Sequence, residues 1–549
     1  MMVEGQTGVC PFLFGAFNMS RYNEDLEYLI QDTDISKEEL EEIIVEADKV
    51  ISDTSSEKDK LIEAYLKKIQ CLQKLDKYNE SKEFIDKLLV LNANMPEAFV
   101  RLGNVYRENK EHDKAIDCIT KAIEIKPDYV AAYNNRGTAK YYLSNYRGAI
   151  EDYNKAIEIK PDYAMIYNNR GLAKRYLSDY RGAAKDFKKA EMDILNVLIF
   201  FGDNVGEKIV NFMLDDDDFF KETTQKCKEE EINNFKNIYI QSLKIILELQ
   251  VKEEIKTSVS HYTKTAVLER LLFDNYFKKD EERSPFRLNS VNTSNDLEEG
   301  KTLFRYLFPK EDVFSRIQIE EFGAFAGCFI LNKDSLNQFR LYGKTEKKEE
   351  GTGVSISLNE HFFSEKISIG IKMESGSESK KEENLPPSLP LFRCIYIDPE
   401  TCKVISLGQK EEYVFYKEGK LEGEYVSYKE KINGLRKKVE NMLERLKEMI
   451  GESDRDIVCK LLLNLRYLVK HFAFNEEQEC RIIQIRKLND KKVESDENNR
   501  LYIEYLEMNE ENVSEICFAP KATDIDKFKQ HLARNNYNVK CYKSTAPFA

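Results

Sequence analysis

The chain has 549 residues, 42% apolar and 33% charged, a soluble globular composition long enough for about three or four domains. Its 98 acidic and 84 basic side chains leave a formal charge of −14 with no basic tail, which argues against a nucleic-acid partner. No apolar run reaches the roughly 18 residues needed to span a bilayer, so no membrane partner is expected.

The N-terminus, "MMVEGQTGVCPFLFGAFNMS", lacks the basic start of a signal peptide. Eleven cysteines are scattered without a C-x-x-C pair, which fits buried free thiols in a reducing cytoplasm. Zinc-ligand spacing and H-E-x-x-H are both missing. Residues 1–60 are expected to end in a helical cap built on "SKEELEEIIVEADKVI".

A 34-residue period then sets in. Gly103, Gly137 and Gly171 are in register, as are Ala115, Ala149 and Ala183, and Ala122, Ala156 and Ala190. Ile119, Tyr153 and Phe187 hold the position of a larger apolar residue, and Pro127 and Pro161 close their repeats. Small residues let paired helix axes approach, the larger residue fills the space beside them, and proline stops the second helix. The pattern resembles the tetratricopeptide repeat over residues 95–196. Residues 61–94 fit the period with Ile69 and Ser81 in place of Gly and Ala, so the repeats are taken as 61–196, three clear and one divergent.

The resemblance implies a solenoid whose first helices line a groove for a protein or peptide ligand. That groove would carry Asn104, Arg107, Asn135, Tyr141, Tyr142, Asn169, Arg175 and Tyr176, with Lys140 and Lys174 nearby. Repeated asparagine can hydrogen-bond a peptide backbone whatever its sequence. The residues alone leave open that this is only the wet face of a helical stack joining other domains.

From residue 197 to 257 the repeat fades into a helical joint. "DDDD" at 215–218 lacks the spacing and glycine of a calcium loop and reads as a helix start. "EEEINNFKNIYIQSLKIILELQ" has an apolar helical stripe that could dock on the last repeat or on the domain that follows.

Residues 258–549 have another periodicity. "FRLNS", "GAFAGCFIL", "GVSISL", "FRCIYI", "CRIIQIRKL", "LYIEYL" and "SEICFAP" read as strands. "KINGLRKKVENMLERLKEMI" and "DRDIVCKLLLNLRYLVKHF" read as helices, and "KTEKKEEG" and "MESGSESKKEENLPP" as solvated loops. The fold class is therefore multidomain, an all-α tetratricopeptide-type solenoid followed by an α+β domain. "EEGKT" at 298–302 ends like a phosphate loop, but Asn295 stands where the first glycine belongs, and "GTGVSI" has Ile356 in place of a third glycine.

Five spaced motifs remain: "HYT" at His261, "FRLNSVNTSNDLEEG", "KDSLNQFRLYGK", "GTGVSISL" and "KHFAFNEEQECRIIQI". In this order they resemble a bacterial domain family known only as of unknown function, with Leu297 replacing its proline and Phe339 its tryptophan. The start, a strand ending in His-Tyr-Thr before a helix, is similar to that of an ADP-ribosyltransferase fold. That likeness implies His261 on the ribose of NAD, Tyr342 on nicotinamide, Arg340 on a phosphate and Glu479 (or Glu477) as the carboxylate stabilising the transition state. No cofactor is firmly implied beyond this possible NAD. The same residues also suit a structural cluster, with His261 capping a strand and Glu477 or Glu479 paired to Arg481 or Arg340.

Overall fold

The structure, a computed structural model, describes residues 37–53, 56–190, 192, 194–252, 259–272, 285–291, 300–309, 311, 322–332, 335, 338–339, 352–363, 389–410, 416–417, 420–421, 424–496, 499–506, 508, 512–523, 525–534, 537 and 539–544. The loops expected at 344–351 and 373–387, and Arg340 and Tyr342, lie outside these. The chain forms two compact units, Met1–Met192 with Phe200–Met213, and Asp193–Ile199 with Leu214–Ala549.

The first unit is all helical: α1 (Lys37–Ser52), α2 (Lys58–Lys74), α3 (Tyr78–Leu91), α4 (Pro96–Glu108), α5 (His112–Ile125), α6 (Val130–Tyr142), α7 (Tyr146–Ile159), α8 (Ala164–Tyr176) and α9 (Tyr180–Lys189). Each pair is joined by the same turn. Asp76, Lys110, Ser144 and Ser178 have φ of 57°, 62°, 59° and 59°. The N–H of the next residue donates five residues back, from Lys77 to Leu72, Glu111 to Tyr106, Asn145 to Lys140 and Asp179 to Lys174, the Schellman closure of a helix. Asp76 belongs to the divergent segment, so that segment keeps the backbone of a repeat although its small residues are gone.

The glycines set the helix approach. A Cβ on Gly137 would lie 2.8 Å from the Tyr153 ring, and one on Gly171 would lie 2.7 Å from the Phe187 ring. The larger residue of the second helix therefore sits in the notch itself, and all three of Ile119, Tyr153 and Phe187 are buried. Next in the chain, α10 (Ile194–Leu214) is interrupted at Gly202, whose φ is 67°.

The second unit takes the start of α10 and resumes at Leu214, and its next helices are α11 (Asp218–Thr224), α12 (Glu229–Leu249), α13 (Thr265–Leu272) and α14 (Thr302–Leu307). The aspartate run is a helix start: Asp217 accepts from the Phe220 N–H, and Asp215 pairs with Lys236. The apolar stripe of α12 docks within this unit, on α15 (Glu424–Ile450), where Asn234 and Gln241 donate to the carbonyls of Met449 and Met442. Ten strands form one sheet in the order β12-β13-β2-β3-β1-β4-β14-β15, with β11 on the other edge of β3 and β5 beyond it. These are β1 (Val259–Thr263), β2 (Arg287–Ser290), β3 (Phe322–Ile330), β4 (Val354–Leu358), β5 (Phe392–Arg393), β11 (Glu479–Lys487), β12 (Glu494–Ser495), β13 (Leu501–Glu504), β14 (Val513–Phe518) and β15 (Lys540–Lys543). A second sheet holds β6 (Ile395–Asp398) between β7 (Lys403–Leu407) and β10 (Val469–His471), and β8 (Tyr416–Lys417) pairs with β9 (Lys420–Leu421).

The run 454–472, read from sequence as one helix, breaks into α16 (Arg455–Leu461), α17 (Leu463–Arg466) and strand β10. Its nearly unbroken apolar character suits a fully buried strand as well as a buried helix, and periodicity cannot separate them. The ten described cysteines are all free thiols. Among the described residues no helix is long and apolar enough to cross a membrane.

Candidate functional sites

In the first unit the expected groove residues lie on α4, α6 and α8, the first helices of their pairs. Three of them form part of an amide ladder. Asn135 Nδ2 donates to Asn104 Oδ1 (3.1 Å), Asn134 Nδ2 to Asn135 Oδ1 (3.3 Å), and Asn169 Nδ2 to Asn134 Oδ1 (3.0 Å). Arg107 also donates to Asn104 (3.1 Å) and pairs with Glu108. The ladder binds helix to helix, and Asn169 is buried by it. Asn104 and Asn135 stay half-buried, so of the three they are the ones that keep some exposure to solvent.

Beside the ladder runs a strip of rings. Tyr142 stacks on His112 (5.1 Å, 9°), Tyr141 sets its edge against Tyr146 and Tyr176, and Tyr146 stacks on Tyr176 (4.6 Å, 3°). Arg175 lies over Tyr176 at 4.1 Å, and Tyr176 is 46% exposed. Burial, with Arg107 adding to it, lowers the His112 imidazole below its ordinary value, so this end of the strip is uncharged at neutral pH. Asn134, His112 and Tyr146 were missed from sequence. The repeated "YNNRG" held the signal for Asn134, whereas His112 and Tyr146 start second helices and reach the strip only through the turn.

Lys140 and Lys174 are not groove cations. Arg136 grips Asp152 with two bonds (3.0 and 2.7 Å) and Lys140 adds a third (2.8 Å). One repeat on, Arg170 and Lys174 hold Asp186 in the same way. In the repeat before, the same positions are Leu102, Tyr106 and Cys118, which pack in an apolar cluster instead.

In the second unit the strand register decides which side chains meet. Ser260 of β1 and Glu479 of β11 both pair with Ile330 of β3, so these three share a face. Tyr262, Cys328 and Arg481 follow on that face by alternation, and Ser355 and Ser357 join them through β4. Four of the sequence motifs assemble here. The Tyr262 hydroxyl accepts from the Ser335 N–H (2.8 Å) and donates to the Asn332 carbonyl (3.1 Å), and its ring meets Phe339 edge-on at 5.1 Å. Gln338 Nε2 donates to the Glu477 carbonyl (2.8 Å).

Glu479 is wholly buried within this cluster. It accepts from Arg481 Nε (2.6 Å) and Lys470 Nζ (2.7 Å), and Lys470 also pairs with Glu477. Burial alone would raise its carboxyl, but the Arg481 and Lys470 cations outweigh that and hold it well below the usual range. Glu477 is raised by burial, which Lys470 and Arg481 do not outweigh there and to which the neighbouring Glu479 charge adds. Between them Gln478 sits at φ 47°, a conformation rare outside glycine. Lys470 was not legible as a partner because its strand lies in the run read as helix.

His261 is on the other face. It pairs across to Ile356, whose neighbours Val354 and Leu358 belong to the large apolar core with Phe286 and Phe329. Its Nδ1–H donates to the Cys328 carbonyl (3.0 Å), and its ring meets Phe286 edge-on at 4.9 Å. Burial lowers its imidazole, so it is a neutral histidine lodged among aromatic rings. The expected convergence of His261 and Glu479 on one NAD is not formed, because β3 and the alternation of its neighbours separate the two side chains. Glu479, closed off by Arg481 and Lys470, has the paired, buried geometry of a structural cluster. Among the described residues no cluster of histidine, cysteine and carboxylate side chains could hold a metal ion.

Comparison with known proteins concerns the first unit. A tetratricopeptide repeat model matches residues 96–129 and a TPR repeat model matches residues 137–174. Among solved structures the chain is similar to MamA, with 29% identity, 28% of this chain and 88% of that one covered, and a TM-score of 0.25. It is also similar to MamA 41-end from Desulfovibrio magneticus RS-1 (22% identity, 28% and 85% covered, TM-score 0.25). A third is YrrB, described as a TPR protein with an unusual peptide-binding site (21% identity, 28% and 77% covered, TM-score 0.23). No curated protein matches the chain. The helix pairs within residues 96–174 are tetratricopeptide repeats.

Proposed function

We propose that the protein holds an extended segment of a partner protein on the first-helix face of its repeats and thereby recruits that partner to the second unit. The observation that carries this is the meeting of the amide ladder with the tyrosine strip. Half-buried Asn104 and Asn135 offer amide donors and acceptors to any peptide backbone, and Tyr142 and the exposed rim of Tyr176 offer aromatic surface at low entropic cost beside them. Peptides selected from a random display library on the full chain test it. Asn135→Ala and Tyr142→Ala should each weaken the selected peptides roughly tenfold or more. Lys155→Ala, on a second helix and paired only with neighbouring Glu158 in an exposed bond, should not. Equal binding to all three folded variants would remove the proposal.

The second unit is read as a member of the bacterial domain family that its motifs resemble. What supports this is that Tyr262, Ser335, Gln338, Phe339, Glu479 and Arg481, which come from separate motifs, meet on one sheet face. Its part in this reading is that of a binding or structural domain in a cytoplasmic protein. The ten free thiols suit a reducing compartment.

A further inference from the structure

Buried cations of the second unit have acceptors. Lys470 has two carboxylates, Arg481 has Glu479 and the Tyr467 carbonyl, Arg393 donates to the Gly408 carbonyl, and Arg486 to Asp490. Arg466, on α17, is different. It is 8% exposed, and its Nε and Nη1 are buried without a hydrogen-bond partner. Arginine cannot shed its proton, and an isolated charge out of water is strongly unfavourable, so among the described residues a counter-charge is missing. Cys459 nearby does not supply it, since burial pushes that thiol up to about 12 and keeps it neutral.

The surroundings hold the guanidinium in place. It lies over the rings of Phe304 (5.3 Å) and Tyr467 (4.7 Å). Gly300, with φ 76°, brings bare backbone against it: a Cβ there would fall 2.9 Å from Nε and 3.0 Å from Nη2. Both unfilled atoms of Arg466 are donors. The Gly300-Lys301-Thr302 run still lacks the first glycine of a phosphate loop, and only the close approach of Gly300 enters here.

We infer that Arg466 anchors a binding site on the second unit for a phosphate-class oxyanion, either free phosphate or the phosphate group of a larger ligand. A planar, permanently charged fork with unfilled donors and no carboxylate paired to it among the described residues suits a fully ionised, oxygen-rich anion.

Thermal unfolding of the full chain in phosphate, AMP, acetate and chloride at matched ionic strength tests this. At a hundredfold excess over its dissociation constant, phosphate should raise the wild-type midpoint by roughly 4 °C relative to chloride. A larger rise with AMP identifies a nucleotide as the source, and an equal rise identifies the phosphate group alone. Arg466→Met should lose the phosphate response and melt above wild type in chloride, because an uncompensated charge is gone. If that variant does not fold, broadening of the phosphorus-31 line of phosphate by wild-type protein, reversed by excess AMP, carries the test. The inference is overturned if wild type shows neither a phosphate-specific rise nor broadening, if Arg466→Met responds as wild type does, or if acetate matches phosphate.

Discussion

His261 and Glu479 flank the same strand and point to its opposite faces. Their strands are each one neighbour from β3, so the two backbones stand roughly 9–10 Å apart. Cys328 touches both, giving its main-chain carbonyl to His261 and its thiol to Glu479. The carbonyl is fixed by the strand ladder, so a change on one face has little leverage on the other. His261→Ala should cost roughly 1–3 kcal/mol through a lost buried bond. Glu479→Gln should cost roughly 3–5 kcal/mol, because Lys470 and Arg481 stay buried without their shared counter-charge. The double variant should equal the sum within about 0.5 kcal/mol in denaturant unfolding. A coupling well above about 1 kcal/mol would put the two residues in one site after all.

The turn at Ser144 predicts a stabilising substitution. Its φ of 59° costs a non-glycine residue about 1 kcal/mol, partly offset in glycine by the greater freedom of the unfolded chain. Ser144→Gly should therefore raise stability by roughly 0.5 kcal/mol, and Ser178→Gly at the next turn should do the same. The long 3.4 Å contact from the Tyr146 hydroxyl to Ser144 is a small loss against this. Lower melting midpoints for both variants would mean that the turns are not left-handed.

The repeats were legible because their chemistry is local and periodic: Gly137 with Tyr153 and Gly171 with Phe187 follow from a 34-residue register. The α+β class was legible in strands such as β3 and β11, whose apolar and β-branched runs exceed what a loop would hold. The site was not. Strand order decides that Tyr262 rather than His261 faces Glu479, and order is a long-range property that no spacing encodes. The Arg136–Asp152 and Arg170–Asp186 pairs were hidden for a different reason. Helical periodicity marks which positions are half-buried but not whether charge or apolar contact fills them, and Leu102 with Cys118 shows the alternative.

Acid should unfold the second unit earlier than its burial alone suggests. In the folded state the Glu479 carboxyl lies below the ordinary glutamate value of 4.5, because Arg481 and Lys470 outweigh burial. Asp490 is also lowered from 3.8; burial opposes this, and the Lys492 N–H and Arg486 overcome it. For both, the unfolded state binds the proton first, so their stabilisation is complete above the ordinary carboxylate range and is lost as pH falls through the folded values. Glu477 works the other way, since burial raises it and protonation relieves the folded state. Melting midpoints followed from pH 7 to pH 3 should therefore fall less steeply in Glu479→Gln than in wild type. In Glu477→Gln they should fall more steeply. Identical slopes in all three proteins would show that the cluster does not hold these charges when folded.

The helix register itself can be tested at Gly137. A side chain there would run into the Tyr153 ring, which is buried and hydrogen-bonded at 3.3 Å to Thr138. Gly137→Leu should destabilise by roughly 1–3 kcal/mol through overpacking, and the loss should reach neighbouring repeats because each packs on the next. Tyr153→Ala alone should cost roughly 3–5 kcal/mol as a large aromatic side chain leaves a cavity. Together the two should be less damaging than their sum, since the leucine occupies space that the tyrosine vacates and the shorter residue no longer meets it. Unfolding of the full chain followed by far-ultraviolet circular dichroism reads all three. Strict additivity would mean that residue 137 does not face residue 153, and the pairing of α6 with α7 would have to be redrawn.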